Sequence, residues 1–138
     1  MSLSADEKLA IHELLSRTAY AYDEKDLDML EGCFTEDVSF TIQISGADKM
    51  GPFEGRDAVM TLYRASMAAQ TDVRRHVTTN MFFESEGTEP QIISNLTLFA
   101  TENGETRLLS AGVYRDTVRR SGDTWLLCKR HLDLDSPY

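Results

Sequence analysis

Basic residues are scarce in this chain: 14 Lys and Arg stand against 23 Asp and Glu, a formal charge of -9. A surface of that sign repels phosphate backbones and anionic headgroups, so neither nucleic acid nor a membrane is expected as a partner. The adjoining basic residues Arg74-Arg75, Arg119-Arg120 and Lys129-Arg130 are isolated pairs with no interleaved aromatic stripe. Cysteine is rarer still. Cys33 and Cys128 are too few and too distant in sequence for a disulfide framework, and no C-x-x-C pair suggests zinc or redox chemistry. No stretch approaches the roughly 18 apolar residues of a membrane span, and Asp6 interrupts the start before any secretory apolar run, so a cytoplasmic location is the expectation. Catalytic signatures are missing as well: there is no G-x-G-x-x-G, no P-loop and no G-x-S-x-G elbow. His12-Glu13 begins like a zincin helix, but Ser16 stands where the second histidine is needed. No cofactor and no metal site are expected.

What remains is material for one domain over residues 1–138, with 41% apolar residues available for a core. Ser4 followed by Glu7 is a capping-box signature, and Ile11, Leu14, Leu15, Thr18 and Tyr22 recur at helical spacing, which predicts a helix over about 5–23. Asp26 caps a short second helix through Leu30, ended by Gly32. Val38, Phe40, Ile42 and Ile44 alternate with polar residues and predict a half-buried strand over 38–44. Gly46 to Gly55 reads as a loop, and Val59, Leu62, Tyr63, Ser66 and Met67 define a third helix ending near Gln70. The rest is β-rich: 73–84, 91–101, 106–120 and 124–134, separated by Glu86-Gly87, Asn103-Gly104 and Ser121-Gly122-Asp123. Asn-Gly is the strongest short hairpin signal, and three such connections imply an antiparallel meander. The pattern predicts an α+β fold: a curved, cone-shaped antiparallel sheet with three N-terminal helices enclosing a pocket.

The order of elements, together with Tyr22-Asp23-Glu24-Lys25-Asp26 closing the first helix, Phe34-Thr35-Glu36-Asp37-Val38 opening the first strand and Arg75-His76 in the second, resembles the SnoaL-like branch of the nuclear transport factor two-like superfamily. Gly112-Val113-Tyr114-Arg115-Asp116 followed by Trp125 is similar to the same branch. Within it, Tyr22-Asp23 and His76 look most like the scytalone dehydratase group. That resemblance implies roles in substrate binding and proton transfer for Tyr22, Asp23 and His76. Two positions depart from the group: no second cavity histidine exists among Ser94, Asn95, Leu96 and Thr97, and Tyr114 stands where the group carries an Asn.

The residues themselves support related chemistry. Asp23 falls one turn beyond Ala19 and two beyond Leu15, near the core-facing side of its helix. If His76 points into the cone, the carboxylate fixes the imidazole tautomer and the pair becomes a general base with its orienter. Strand alternation puts Arg74, His76, Thr78, Asn80 and Phe82 on one face, which makes Thr78 and Asn80 candidate substrate-binding residues. Tyr22 and Tyr114 are candidate donors to a carbonyl or enolate oxygen. The alternatives are structural: Asp23 as a local cap or ion-pair partner of Arg130, the tyrosines as packed rings, and His131 as a structural side chain. The expected function is a cofactor-independent dehydratase, isomerase or cyclase acting on a small hydrophobic cyclic carbonyl compound. A non-catalytic assembly module resembling the small subunit of ring-hydroxylating dioxygenases and a ligand carrier are the other readings. A homodimer or homotrimer is expected in each case, because long antiparallel strands rarely leave a broad half-apolar face bare.

Overall fold

The computed structural model describes residues 2–138. The first helix, α1 (Ala5–Asp23), starts with the capping box: the Glu7 backbone N–H donates to Ser4 Oγ, and the Ser4 N–H donates to the Glu7 carboxylate. Its buried face carries Ile11, Leu14, Leu15, Thr18 and Ala21. Lys25, at φ 57, turns the chain, and Asp26 caps α2 (Leu27–Glu31) by accepting from the Met29 N–H. The third helix, α3 (Arg56–Ala69), buries Val59, Met60, Tyr63 and Met67.

Six strands form one curved, unclosed sheet in the order β2-β1-β6-β5-β4-β3. They are β1 (Phe34–Ile44), β2 (Met50–Glu54), β3 (Val73–Ser85), β4 (Gln91–Glu102), β5 (Glu105–Ser121) and β6 (Thr124–Leu134). The four long C-terminal strands make the antiparallel meander expected from their turns. At Asn103-Gly104 both residues take positive φ, 55 and 77, the backbone that a two-residue hairpin of the right twist requires. Two features differ from the expectation. The segment read as a loop from Gly46 to Gly55 contains β2, which pairs antiparallel with β1. The sheet is also mixed, because β1 lies parallel to β6, with Thr41 beside His131 and Ile42 beside Leu132. This pairing closes the N-terminal and C-terminal halves of the chain into one layer.

The helices cover one face of that layer, α1 against β3 and β6, and α3 against β1 and β2. The core between them includes Ile11, Leu15, Phe34, Val38, Val59 and Leu127. Burying side chains of this size contributes roughly 1.5–3 kcal/mol each before the cost of ordering the chain is set against it. Toward one end of the layer the packing opens, and that opening is the site.

Candidate functional site

A cavity of about 370 Å³ lies between α1, α3 and the sheet. Its walls are mostly apolar: Phe40, Ile42, Leu62, Leu96, Leu132 and Leu134 come from three strands and one helix. Polar groups enter at a few points only, and Tyr22, Ser66, His76 and Tyr114 supply most of them. Such a shape suits a small, largely apolar molecule held by a few oriented hydrogen bonds.

Asp23 and His76 meet where the last turn of α1 crosses β3. One carboxylate oxygen of Asp23 lies 2.5 Å from His76 Nδ1, and the other accepts the His76 backbone N–H at 2.8 Å. The two side chains are 7% and 5% exposed. β3 is an edge strand, so that N–H has no strand neighbour on its outer side, and the carboxylate takes its place. With Nδ1–H donated to Asp23, the lone pair of the imidazole sits on Nε2, and His76 is the member of the pair that lines the cavity. Asp23 stands behind it. Asp23 does not pair with Arg130, the structural alternative for its carboxylate: Arg130 forms a bidentate pair with Asp116, at 2.8 and 3.1 Å.

Tyr22 packs its ring against His76, centroids 4.7 Å apart, and edge-on against Tyr63 at the same separation. Its hydroxyl shares a short hydrogen bond with Ser66 Oγ, and Gln70 Nε2 donates to it at 3.4 Å. Burial pushes the Tyr22 phenol well above its ordinary pKa, so it stays protonated at neutral pH. Tyr114 forms part of the floor. The Arg130 guanidinium lies 4.0 Å from the centre of its ring, and burial raises its phenol too. Burial works against the Arg130 charge, but Asp116 beside it more than offsets this and holds the guanidinium pKa well above the usual value.

Thr78 and Asn80 lie outside the cavity wall. Thr78 precedes the irregularity in β3 and shares the face of His76, whereas the placement of Asn80 has a local cause: Thr79 pairs with Asn95 while Phe82 pairs with Ile93, so β3 spends three residues where β4 spends two. Asn80, exposed and at φ 55, is the extra residue of this bulge. Strict alternation therefore holds through Arg74, His76 and Thr78, then reverses, and Met81 and Phe83 turn inward to pack on the core. His131 sits on the opposite face of the sheet from Leu132, with Nδ1 2.5 Å from Thr41 Oγ1 and Nε2 2.8 Å from Asp133 Oδ1.

Sequence reasoning did not single out Ser66 and Gln70. The available signal was a polar residue inside the apolar stripe of α3, with a second polar residue four positions on. Met50 of β2 and Tyr138 also join the wall. Tyr138 packs over Arg74, whose guanidinium lies 5.1 Å from the ring centre and is held by Asp72 at 2.8 Å. Among the described residues no group of three or more His, Cys, Asp or Glu side chains is arranged to hold a metal ion.

This architecture has clear relatives among solved structures. A protein of unknown function with a cystatin-like fold from Nostoc punctiforme is 23% identical, with 98% of this chain and 96% of that one covered at a TM-score of 0.81. A function-unknown protein from Mycobacterium tuberculosis is 25% identical, with coverage of 94% and 72% and a TM-score of 0.77. A Novosphingobium aromaticivorans chain assigned by name to the beta subunit of an aromatic-ring-hydroxylating dioxygenase is 21% identical, with coverage of 94% and 89% and a TM-score of 0.78. No curated protein matches. The family model of the SnoaL-like domain matches residues 4–131, the span that carries all three helices, all but the last three residues of the meander and the Asp23–His76 contact, and the chain belongs to that family.

Proposed function

We propose that this protein is a small cofactor-independent enzyme, of dehydratase, isomerase or cyclase type, acting on a hydrophobic cyclic carbonyl compound, with the scytalone dehydratase group as its nearest functional analogue. One observation carries the reading: an imidazole whose Nδ1 is committed to a buried carboxylate lines an apolar cavity. In that setting Nε2 removes a proton from the carbon next to the carbonyl, and Asp23 stabilises the imidazolium that results. The electron pair from the broken C–H bond moves onto the carbonyl oxygen, where hydroxyls at the Tyr22 end of the cavity or at Tyr114 meet the growing charge. For a β-hydroxy ketone, the imidazolium then returns its proton to the departing hydroxyl, which leaves as water. For an isomerisation the proton is returned to a different carbon.

The test is turnover of a panel of cyclic ketones and β-hydroxy ketones by His76→Ala. The variant is expected to lose at least ~100-fold in rate, the low end of general acid–base contributions, while its melting temperature stays within a few degrees of the parent. Equal turnover by parent and variant would reject the base assignment. A second reading, a non-catalytic module that supports a larger chain, draws on the likeness to the dioxygenase beta subunit and on Asp23 also serving the backbone of an edge strand. Co-purification with an iron-bearing subunit, combined with no turnover of the panel, would favour it.

A further inference from the structure

The hydroxyls at the Tyr22 end of the cavity can be assigned by counting hydrogens. Three side chains meet there. Tyr22 and Ser66 hold one hydroxyl hydrogen each, and the Gln70 amide holds two N–H hydrogens. Gln70 Nε2 donates to Tyr22 Oη and to Ser66 Oγ, each at 3.4 Å, which uses both amide hydrogens. The short bond between Tyr22 and Ser66 uses one hydroxyl hydrogen. One hydroxyl hydrogen is left without an acceptor inside the cluster.

Acidity decides which one. A phenol is the stronger acid and the better donor than an aliphatic alcohol, so Tyr22 donates and Ser66 accepts. Ser66 Oγ then receives two hydrogen bonds, from Tyr22 and from Gln70. Its own hydrogen is free, and it is polarised by both donors. Ser66 is half-buried on the cavity wall, beside Leu62 and Ala65 of the same helix. A donor there, surrounded by apolar surface, costs free energy unless a partner arrives.

We infer that Ser66 is the hydrogen-bond donor this cavity offers to a ligand, that Tyr22 and Gln70 are the residues that position and polarise it, and that the ligand class it selects carries an acceptor-only oxygen, such as a ketone or an enolate, on a compact apolar frame. Because both acceptor positions of Ser66 Oγ are filled, an amine or other pure donor finds no partner at this serine. The inference rests on the reading of the cavity as a substrate site and refines it, since the donor touching the substrate at this end is the serine rather than the tyrosine.

The experiment uses 1-tetralone and tetralin, which share a bicyclic frame and differ in the carbonyl, as probes for the whole protein. Affinity is measured by calorimetry, and the carbonyl stretching frequency of bound 1-tetralone by infrared difference spectroscopy. The expected result is a lowered carbonyl frequency with the parent protein. Ser66→Ala should abolish that lowering and weaken 1-tetralone by about three- to tenfold, the range of one net hydrogen bond, while tetralin changes less than twofold. Ser66→Thr, which keeps the hydroxyl, should retain the lowered frequency. Tyr22→Phe should perturb the frequency less than Ser66→Ala, because the serine hydrogen remains.

If both probes bind but Ser66→Ala leaves the frequency unchanged, or Tyr22→Phe has the larger effect, the serine assignment is overturned and the cavity reading survives. If neither probe binds the parent protein, the cavity reading fails and the inference fails with it. A Ser66→Ala protein that does not fold leaves the decision to the parent, Ser66→Thr and Tyr22→Phe spectra: loss of the lowered frequency in Tyr22→Phe overturns the assignment, and its persistence upholds it.

Discussion

The most demanding single residues are the charged pair beneath the cavity. Arg130 and Asp116 are 4% and 0% exposed at their side chains, and the bidentate geometry satisfies both. Removing one partner leaves an uncompensated buried charge, so Asp116→Ala should destabilise the fold by about 3–5 kcal/mol. Denaturant unfolding of the variant checks this, and a paired replacement of both residues by apolar ones of similar size should recover most of the loss. The tyrosines carry a second residue-scale consequence. Burial is the first cause of the raised phenol pKa at Tyr22, Tyr63 and Tyr114. A group whose folded pKa is raised contributes stability that is whole below the unfolded value, about 10 for tyrosine, and is lost as pH climbs above it. Tyrosinate absorbance followed alongside circular dichroism from pH 9 to 12 should therefore show these phenols ionising together with unfolding rather than ahead of it.

At the scale of elements, Gly112 joins β5 to β6 at very short range. A Cβ at that position would lie 2.2 Å from the Asp133 carbonyl oxygen, which is backbone and cannot swing aside. Gly112→Ala should separate the two strands locally and lower the melting temperature by several degrees, the scale of a 1–3 kcal/mol overpacking penalty. Thermal unfolding measures it directly. Elements like α1 and the β3–β6 meander were readable from sequence because their signals are local: a capping box, a helical stripe and an Asn-Gly turn. β2 was hidden because it is five residues long and contains Gly51-Pro52. β1 begins at Phe34 rather than Val38 because exposed Glu36 and Asp37 interrupt its alternation, matching the shift in its register against β6. The parallel pairing of β1 with β6 joins residues some ninety positions apart, and no neighbouring-residue rule reports it. The site follows the same division. Asp23 and His76 sit on well-signalled elements and were legible as a pair; Asn80 was misplaced by an unsignalled bulge, and Ser66 was absorbed into a helix stripe.

At the scale of the whole molecule, the acidic surface is tied together by a few ion pairs that link the start of α1 to the far end of the sheet. Glu7 engages Arg120, Glu86 engages Lys8, and Asp37 and Glu89 share Arg119. The Glu7 and Glu86 carboxyls are held below their ordinary 4.5, first by the backbone N–H groups of Ser4 and Leu3, and Asp37 is held below its ordinary 3.8, first by the Thr35 hydroxyl. A lowered folded pKa contributes stability that is present above the unfolded value and lost as pH falls through the folded one. The melting temperature should accordingly fall as pH drops below about 4.5, and Glu7→Gln, which lacks the stabilisation the ionised carboxylate supplies at neutral pH, should lower the melting temperature at pH 7 and make that fall shallower. A pH series of thermal scans on both proteins gives the comparison. The same acidic balance gives a sequence pI of about 4.7, so low pH also removes the net repulsion that keeps molecules apart.

The three-for-two step at Asn80 divides the longest reach of β3 into two halves that look in opposite directions. Upstream, the strand aims an imidazole at the hollow; downstream, it supplies Met81 and Phe83 as a buttress for the opening helix. Shortening the chain there by one residue would leave only one of the two halves aimed correctly. Anyone transplanting this Asp–His contact onto another scaffold must therefore carry the kink along with it, because the same single residue lets one strand both face the hollow and pack Met81 and Phe83 on the core.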